Sequence, residues 1–535
     1  MVTPLWPWLL NEPTITGNLD RRAETTPDAV AFMDEHDRSL TWAQFDTSVD
    51  RVVAGLAAKG IGRGASVAWQ LPTRMSTVLV MFALRRLAAQ QAPIISLCRE
   101  REVSAAVRAV NADFLLIPGT WNDFDYAAMA GRLDLGDVPA PTVIEIGAES
   151  PDAEPDPELR APQDPDEVAW VYFTSGSTGL PKGARHTDDT LLTTARGFAG
   201  TGHVGENGDD VAAMASPVAH VGGIEFFIAA ICSGTPMVLM EAFVPQQAVE
   251  LYGRLGVTIT GGAPPFYQAF AAMGAAVAPK PLVPSLRLLK GGGAPCPPEL
   301  FHRVREVLGV TVAHDYGMSE APMVAVADPH DPPEVLAATD GHPIPGNEIR
   351  IVGDDGRPVP EGDVGEVQVS GRGVCRGYTD PDETKKAFTS DGCFLTGDLA
   401  RMHPGGQIEV VGRAKDVIIR KGGNISPQEI EELLTGHPAI AEVAVIGVPD
   451  TERGELVCAV VAPPPGTHAP DLASIVTYLT EAQLMKQKMP ERLEIVESLP
   501  RTGLAKVAKT ELRARYGSPT PRTAERPPRH AQGLP

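Results

Sequence analysis

Three consecutive segments between Thr41 and Ala89 restrict the fold of this chain more than any other feature. "TWAQFDTSVDRVVAGLAAKG" spaces its apolar residues as a helix does and stops at Gly60, "SVAWQLP" reads as a strand, and "STVLVMFALRRLAA" reads as a buried helix. Helix, strand and helix in alternation predict an α/β class, with helices laid on a sheet. At 535 residues the chain has room for more than one core, one large region and one smaller. No internal repeat is present.

Composition removes several classes of function. Lys and Arg number 46 against 68 Asp and Glu, a net charge of -22 that repels nucleic acid and anionic membrane surfaces at long range. A polyanionic ligand must therefore be held by a local site. The six cysteines (Cys98, Cys232, Cys296, Cys375, Cys393 and Cys458) show neither a CxxC pair nor metal spacing, so no disulfide framework or zinc site is expected and a reducing cytoplasm fits. "MVTPLWPWLL" lacks the basic start of a signal peptide, and the longest apolar run, "GIEFFIAAICSGTPMVLM", is broken by Glu225, Gly234 and Pro236. No membrane segment is expected.

A Pro- and acid-rich stretch, "ESPDAEPDPELRAPQDPDE", has the composition of an exposed linker. Further on, "NEIRIVGDDGRPVPEGDVGEVQVSG" and "GGQIEVVGRAKDVIIRKGG" alternate around Asp-Gly and Gly-Gly turns and predict hairpins. "NISPQEIEELLTGHP" predicts a helix with Ser426 as N-cap, Pro427 in the first turn, Glu429 completing a capping box, and Gly436 and Pro438 as stops. Strands at "AEVAVIGVP" and "ELVCAVVAP" and a helix at "DLASIVTYLTEAQL" complete a small α+β domain of roughly 100 residues. The expected division is a large domain over 1–412, containing mixed α/β subdomains and a β-rich subdomain, a small mobile C-terminal domain over 413–516, and a disordered polar tail over 517–535.

The segment "VYFTSGSTGLPKGA" carries the chemistry. Thr174, Ser175, Gly176, Ser177, Thr178 and Gly179 offer unobstructed backbone N–H groups and four hydroxyls, and Lys182 adds a cation. Such a loop can wrap phosphate oxygens. It is not the Walker P-loop, because Lys182 lies between Pro181 and Gly183 instead of following a glycine and preceding Ser or Thr.

From "LTWAQFD" to "LAKVAKTEL" the chain resembles the adenylate-forming enzymes, which include acyl-CoA synthetases, the adenylation domains of peptide synthetases and firefly luciferase. Six separated motifs carry the resemblance in order: "YFTSGSTGLPKG", "LKGGGAPCPPEL", "HDYGMSE", "FLTGDLA", "GRAKDVIIRKGGNISPQEIE" and "PRTGLAKV". The resemblance, strongest to bacterial carboxylate-CoA ligases, implies transfer of AMP from ATP to a carboxylate and then of the acyl group to CoA. Such chemistry is positioning plus electrostatic stabilisation of phosphoryl charge.

The same resemblance assigns roles. The 174–183 loop with Lys182 holds the departing phosphates, Ser319 contacts the α-phosphate, and Glu320, with Thr174, ligates Mg²⁺. Gly292, Gly293, Ala294 and Pro295 leave a slot for adenine, with Asp315, Tyr316 and Gly317 beside it. Asp398 accepts from the ribose hydroxyls, and Arg413 is a second ribose or phosphate contact. Lys506 neutralises charge during adenylation, Lys415 is the hinge, and Gly422 and Gly423 line the CoA tunnel. His220 stands beside the substrate carboxylate, with Gly222 and Gly223 leaving room for bulk and Glu225 directed away from the cavity.

Two positions depart from the family pattern: Ala505 where a glycine usually precedes the lysine, and Asp188 where relatives commonly carry histidine. The expected activity is an ATP- and Mg²⁺-dependent carboxylic acid-CoA ligase for a medium-sized aliphatic or alicyclic acid, acting as a monomer or homodimer in the cytoplasm. The alternatives are an enzyme that loads a carrier protein or activates a carboxylate without CoA, and a catalytically silent nucleotide-binding protein.

Overall fold

The computed structural model describes residues 5–174, 181–353, 355–420, 423–450, 454–482, 484–501 and 506–517. The chain divides into a unit Met1–Val410 and a unit Val411–Pro535. Two sheets dominate the first. The larger has nine strands, and its centre, Val30–Asp34, Met237–Leu239, Ala212–Met214, Ile259–Gly261, Leu288–Gly292 and Thr311–Met318, is parallel throughout. Antiparallel strands Ala321–Val326 and His342–Pro343 close one edge, and Ser39–Thr41 closes the other. The second sheet has six strands and carries Val168–Thr174 and Lys182–Thr187 as an antiparallel pair at its edge. Parallel strands need crossover helices, which explains the α/β alternation in the sequence.

Helix Trp42–Ala57 starts in a capping box between Thr41 and Gln44 and packs Phe45 edge-on against Phe82 of helix Met75–Arg86, with ring centroids 5.4 Å apart. All twelve residues of the second helix are buried. Its two arginines are therefore neutralised by ion pairs. Arg86 meets Asp20 at 2.6 Å, Asp50 at 2.9 Å and also Asp46, while Arg85 meets Asp188 at 2.8 Å with both side chains essentially inaccessible. Asp188 also accepts from Trp170 Nε1 and the backbone N–H of Ile15. This departure from the family pattern thus joins two helices, a strand and the start of the N-terminal helix in one buried charge pair. The expected linker at 149–167 is likewise pinned, through Arg51 to Asp152 and Arg160 to Asp50.

The β-rich part of the first unit is an antiparallel sheet in which Asn347–Val352, Gly365–Gly371 and Phe394–Met402 follow one another, as the hairpin pattern predicts. In the second unit, Val445, Val457, Ala459 and Val461 face helices Pro427–Thr435 and Leu472–Glu481, while Ile446, Val448, Cys458 and Val460 face helix Lys509–Tyr516. The period-2 alternation thus serves two helical layers. The capping box expected at Ser426 does not form. Its hydroxyl donates to the Val411 carbonyl, and Glu429 pairs instead with Lys488 at 2.6 Å. The tail from 518 onward lies outside the described residues, and among them no helix is long and apolar enough to cross a membrane.

Candidate functional site

Thr174 and Lys182 face each other across the antiparallel pair, and the hydroxyl and glycine residues Ser175, Gly176, Ser177, Thr178 and Gly179 between them lie outside the described residues. Lys182 Nζ is 2.5 Å from Glu383 and 5.5 Å from the centre of the Tyr378 ring. Hydrogen bonds from Lys182 and then Lys386 pull the Glu383 carboxyl down to about 2. The Tyr378 loop is stitched to strand Lys182–Thr187: Arg185 N donates to Gly377 O, and Thr379 N to Gly183 O. On its other side Tyr378 donates its hydroxyl to Glu320 at 2.5 Å. Burial, and then the Glu320 charge, push this phenol far above its ordinary value. Lys182 and Glu320, 138 positions apart, are thereby held around one tyrosine.

Ser319 and Glu320 form the two-residue tip between strands Thr311–Met318 and Ala321–Val326. Three contacts fix this tip. His186 Nε2 lies 2.7 Å from the Ser319 carbonyl, Cys375 N donates to the Glu320 carbonyl, and Tyr378 holds the Glu320 side chain. A carbonyl only accepts, so Nε2 carries the proton, and Nδ1 then accepts from the Thr190 hydroxyl at 3.0 Å. Complete burial keeps the ring neutral, with its pKa moved down to about 4. Glu320 and Thr174 offer only oxygen, a carboxylate and a hydroxyl, which suits a hard cation such as Mg²⁺ that takes its remaining ligands from phosphate and water.

The carboxyl ends of the parallel strands form the second wall, the place where open α/β sheets hold their ligands. Gly292 is opposite Asp315, and a Cβ there would lie 1.8 Å from the Asp315 carbonyl, so only glycine allows the strands this close. Gly293 follows at φ +92, and the turn through Ala294 and Pro295 leaves the strand end next to Tyr316 and Gly317. Tyr316 donates its hydroxyl to Asp398 at 2.7 Å, which ties the aromatic ring to the second carboxylate of the site. Asp315, opposite Gly292, buries its side chain against Lys290 at 2.9 Å and accepts from Ala327 N, so that carboxylate braces the sheet.

His220 caps helix Val221–Ser233, its Nδ1 accepting from Gly222 N at 3.2 Å, at the same end of the sheet. Gly223 is required for a different reason than room for bulk, because a Cβ would lie 2.1 Å from the Pro217 carbonyl. Glu225 is fully buried. One of its oxygens accepts from Thr194 at 3.0 Å and the other has no hydrogen-bond partner among the described residues. Burial raises this carboxyl well above its usual range.

In the second unit Arg413 ends strand Ile408–Arg413, and Lys415 occupies the 3₁₀ turn Ala414–Asp416, both exposed. Gly423 begins strand Gly423–Ile425, while Gly422 and Ala505 lie outside the described residues. Lys506 is exposed, directly before Val507, which bridges to Arg501. His186, Tyr378, Glu383 and Asp188 are the residues whose roles sequence reasoning missed. Only Asp188 gave a signal, its departure from the family pattern.

The AMP-binding enzyme family pattern matches residues 19–379, and that of the AMP-binding enzyme C-terminal domain matches 429–506. A salicylyl-CoA synthase / salicylate adenylyltransferase of Streptomyces sp is 33% identical over 515 residues, covering 92% of this chain and 91% of that protein. A medium-chain fatty-acid–CoA ligase of Escherichia coli (strain K12) is 29% identical over 519 residues, covering 94% and 91%. The crystal structure of ATP-bound MatB from Rhodopseudomonas palustris superposes with a TM-score of 0.82 at 25% identity, covering 94% of this chain and 99% of that one.

Proposed function

Since the chain belongs to the AMP-binding enzyme family, we propose that it is an ATP-dependent acid-thiol ligase that converts a carboxylic acid to its CoA thioester through an acyl-adenylate. The observation that carries this reading is the Lys182–Tyr378–Glu320 arrangement beside the Tyr316–Asp398 pair, a cation and two carboxylates gathered near the strand ends.

A substrate carboxylate oxygen attacks the α-phosphorus of ATP, the bond to the β-phosphate oxygen breaks, and pyrophosphate leaves with that electron pair. Lys182 and the 174–183 loop take the departing charge. Ser319, its carbonyl anchored by His186, presents its hydroxyl to the α-phosphate. Tyr316 stacks on adenine, with Gly292, Gly293, Ala294 and Pro295 opposite, and Asp398 accepts from the ribose. Arg413 supports the ribose or phosphate, Lys506 neutralises the reacting oxygens, and His220 at a helix N-terminus orients the carboxylate. Glu320 and Thr174 would hold Mg²⁺, which supplies charge neutralisation between phosphates. For thioester formation the small domain, running to 516 with Lys415 as its hinge, presents Gly422 and Gly423 to the pantetheine chain, and the CoA thiolate displaces AMP from the acyl carbon.

The salicylate-directed relative supports a ring-bearing acid, and the E. coli relative a medium-chain one. A second reading, adenylation without CoA or for a carrier protein, is favoured by the same Streptomyces relative, which is named a salicylate adenylyltransferase as well as a CoA synthase. Pyrophosphate release with Mg-ATP over a panel of aryl, alicyclic and medium-chain acids, each with and without CoA, separates them. Multiple turnovers only with CoA support the ligase, and equal turnover without it supports the second reading. A cytoplasmic location fits both.

A further inference from the structure

Three side chains outside the candidate active site come together where helix Asp188–Thr201 ends and the chain leaves strand Ala321–Val326. His203 Nε2 is 3.3 Å from Asp328 Oδ1, and His330 Nδ1 is 3.4 Å from the same oxygen. The two rings are 4.3 Å apart at 66°, and all three candidate ligand atoms lie within 4.8 Å of one another. A tetrahedral ion with ligands at about 2.0–2.1 Å needs edges of roughly 3.3–3.4 Å between them. Two edges therefore already have that length.

The protons add a second reason. His203 Nδ1 lies 2.7 Å from Glu206 Oε2, and an N–H donated there leaves Nε2, the atom 3.3 Å from Asp328 Oδ1, as the ring's ligand atom. A carboxylate behind a histidine is also the usual outer partner of a metal-bound imidazole. The other cluster of this kind among the described residues, Glu35, His36 and Glu241, is less suited: it has one imidazole, and Glu241 is already held by Arg74 and Trp121.

We propose that His203, Asp328 and His330 bind a divalent transition metal of the zinc type, with Glu206 orienting His203. The metal ties the end of one helix to the loop that follows Ala327, the residue that holds both Lys290 and Asp315. Sequence spacing does not show the site, because its histidines are 127 positions apart.

The test is isothermal titration of the chelator-stripped full chain with Zn²⁺, paired with visible absorption on Co²⁺ addition, for wild type, His203→Ala and His330→Ala. His330 is 71% exposed, so its replacement leaves the fold intact. The expected result is one equivalent bound at micromolar or tighter affinity in wild type, weakened at least tenfold in both variants together with loss of the Co²⁺ band. Equal stoichiometry and affinity in all three proteins would overturn the proposal.

Discussion

His186 donates from Nε2 to the main-chain carbonyl of Ser319 at 2.7 Å, across 133 positions of sequence, and thereby fixes the hairpin tip that carries Ser319 and Glu320. The ring is fully buried and its pKa is lowered from 6.5 to about 4 by burial. Between those values the unfolded chain binds a proton that the folded chain refuses, so stability is lost as pH falls through that window, by about 3 kcal/mol at its lower end. His186→Gln is expected to flatten this limb of the denaturant-unfolding profile and to lower kcat/KM by roughly 10–100-fold by loosening the tip. An unchanged pH profile in the variant would contradict the assignment.

Tyr378→Phe removes the 2.5 Å hydrogen bond to Glu320 and leaves the ring beside Lys182. The expected outcome is a several-fold higher Mg²⁺ concentration for half-maximal activity with little loss of stability. Lys182→Ala is expected to lower kcat by roughly 10²–10³, the usual cost of deleting one group that stabilises transition-state charge. Mg²⁺ titrations and steady-state rates check both.

Glu225 gives a pH effect of opposite sign. Its folded pKa is raised by burial, so its stability contribution is full below the unfolded value and declines as pH rises toward the folded one. Glu225→Gln is therefore expected to gain stability relative to wild type with increasing pH, by at most about 1.4 kcal/mol per pH unit. Melting temperatures of both proteins from pH 5 to 9 measure it; a constant difference would show that the carboxyl titrates normally.

Asp188→Asn strands the buried Arg85 guanidinium without its counter-charge. Removing one partner of such a pair costs about 3–5 kcal/mol. A fall of that size is expected in the unfolding free energy, and a loss below about 1 kcal/mol would mean that Arg85 finds another partner.

Lys506→Ala is expected to abolish adenylation while a supplied acyl-adenylate still reacts with thiol. Equal loss of both half-reactions would remove the assigned role.

The local features were legible in the sequence because they are written over neighbouring residues: the helical spacing between Thr41 and Gly60, the buried helix at Met75–Arg86, the Asn347–Gly371 hairpin and the motifs around Lys182, Glu320 and Asp398. What escaped joins distant positions. Nothing in "RHTDDT" says that His186 reaches Ser319 or that Asp188 reaches Arg85, since neither pairing leaves a periodicity. A motif fixes the position of Asp315 but not which way its side chain turns, so its pairing with Lys290 was not legible either. The capping box at Ser426 failed because Glu429 has a stronger partner in Lys488 and the serine hydroxyl is drawn to Val411.

The most direct measurement of the central claim is the fate of ATP in the presence of protein, Mg²⁺, CoA and an accepted carboxylic acid, followed by separation of the nucleotides. AMP and pyrophosphate formed in step with thioester, together with acid-dependent exchange of labelled pyrophosphate into ATP, are the predicted result. ADP and phosphate as products would contradict the acyl-adenylate route.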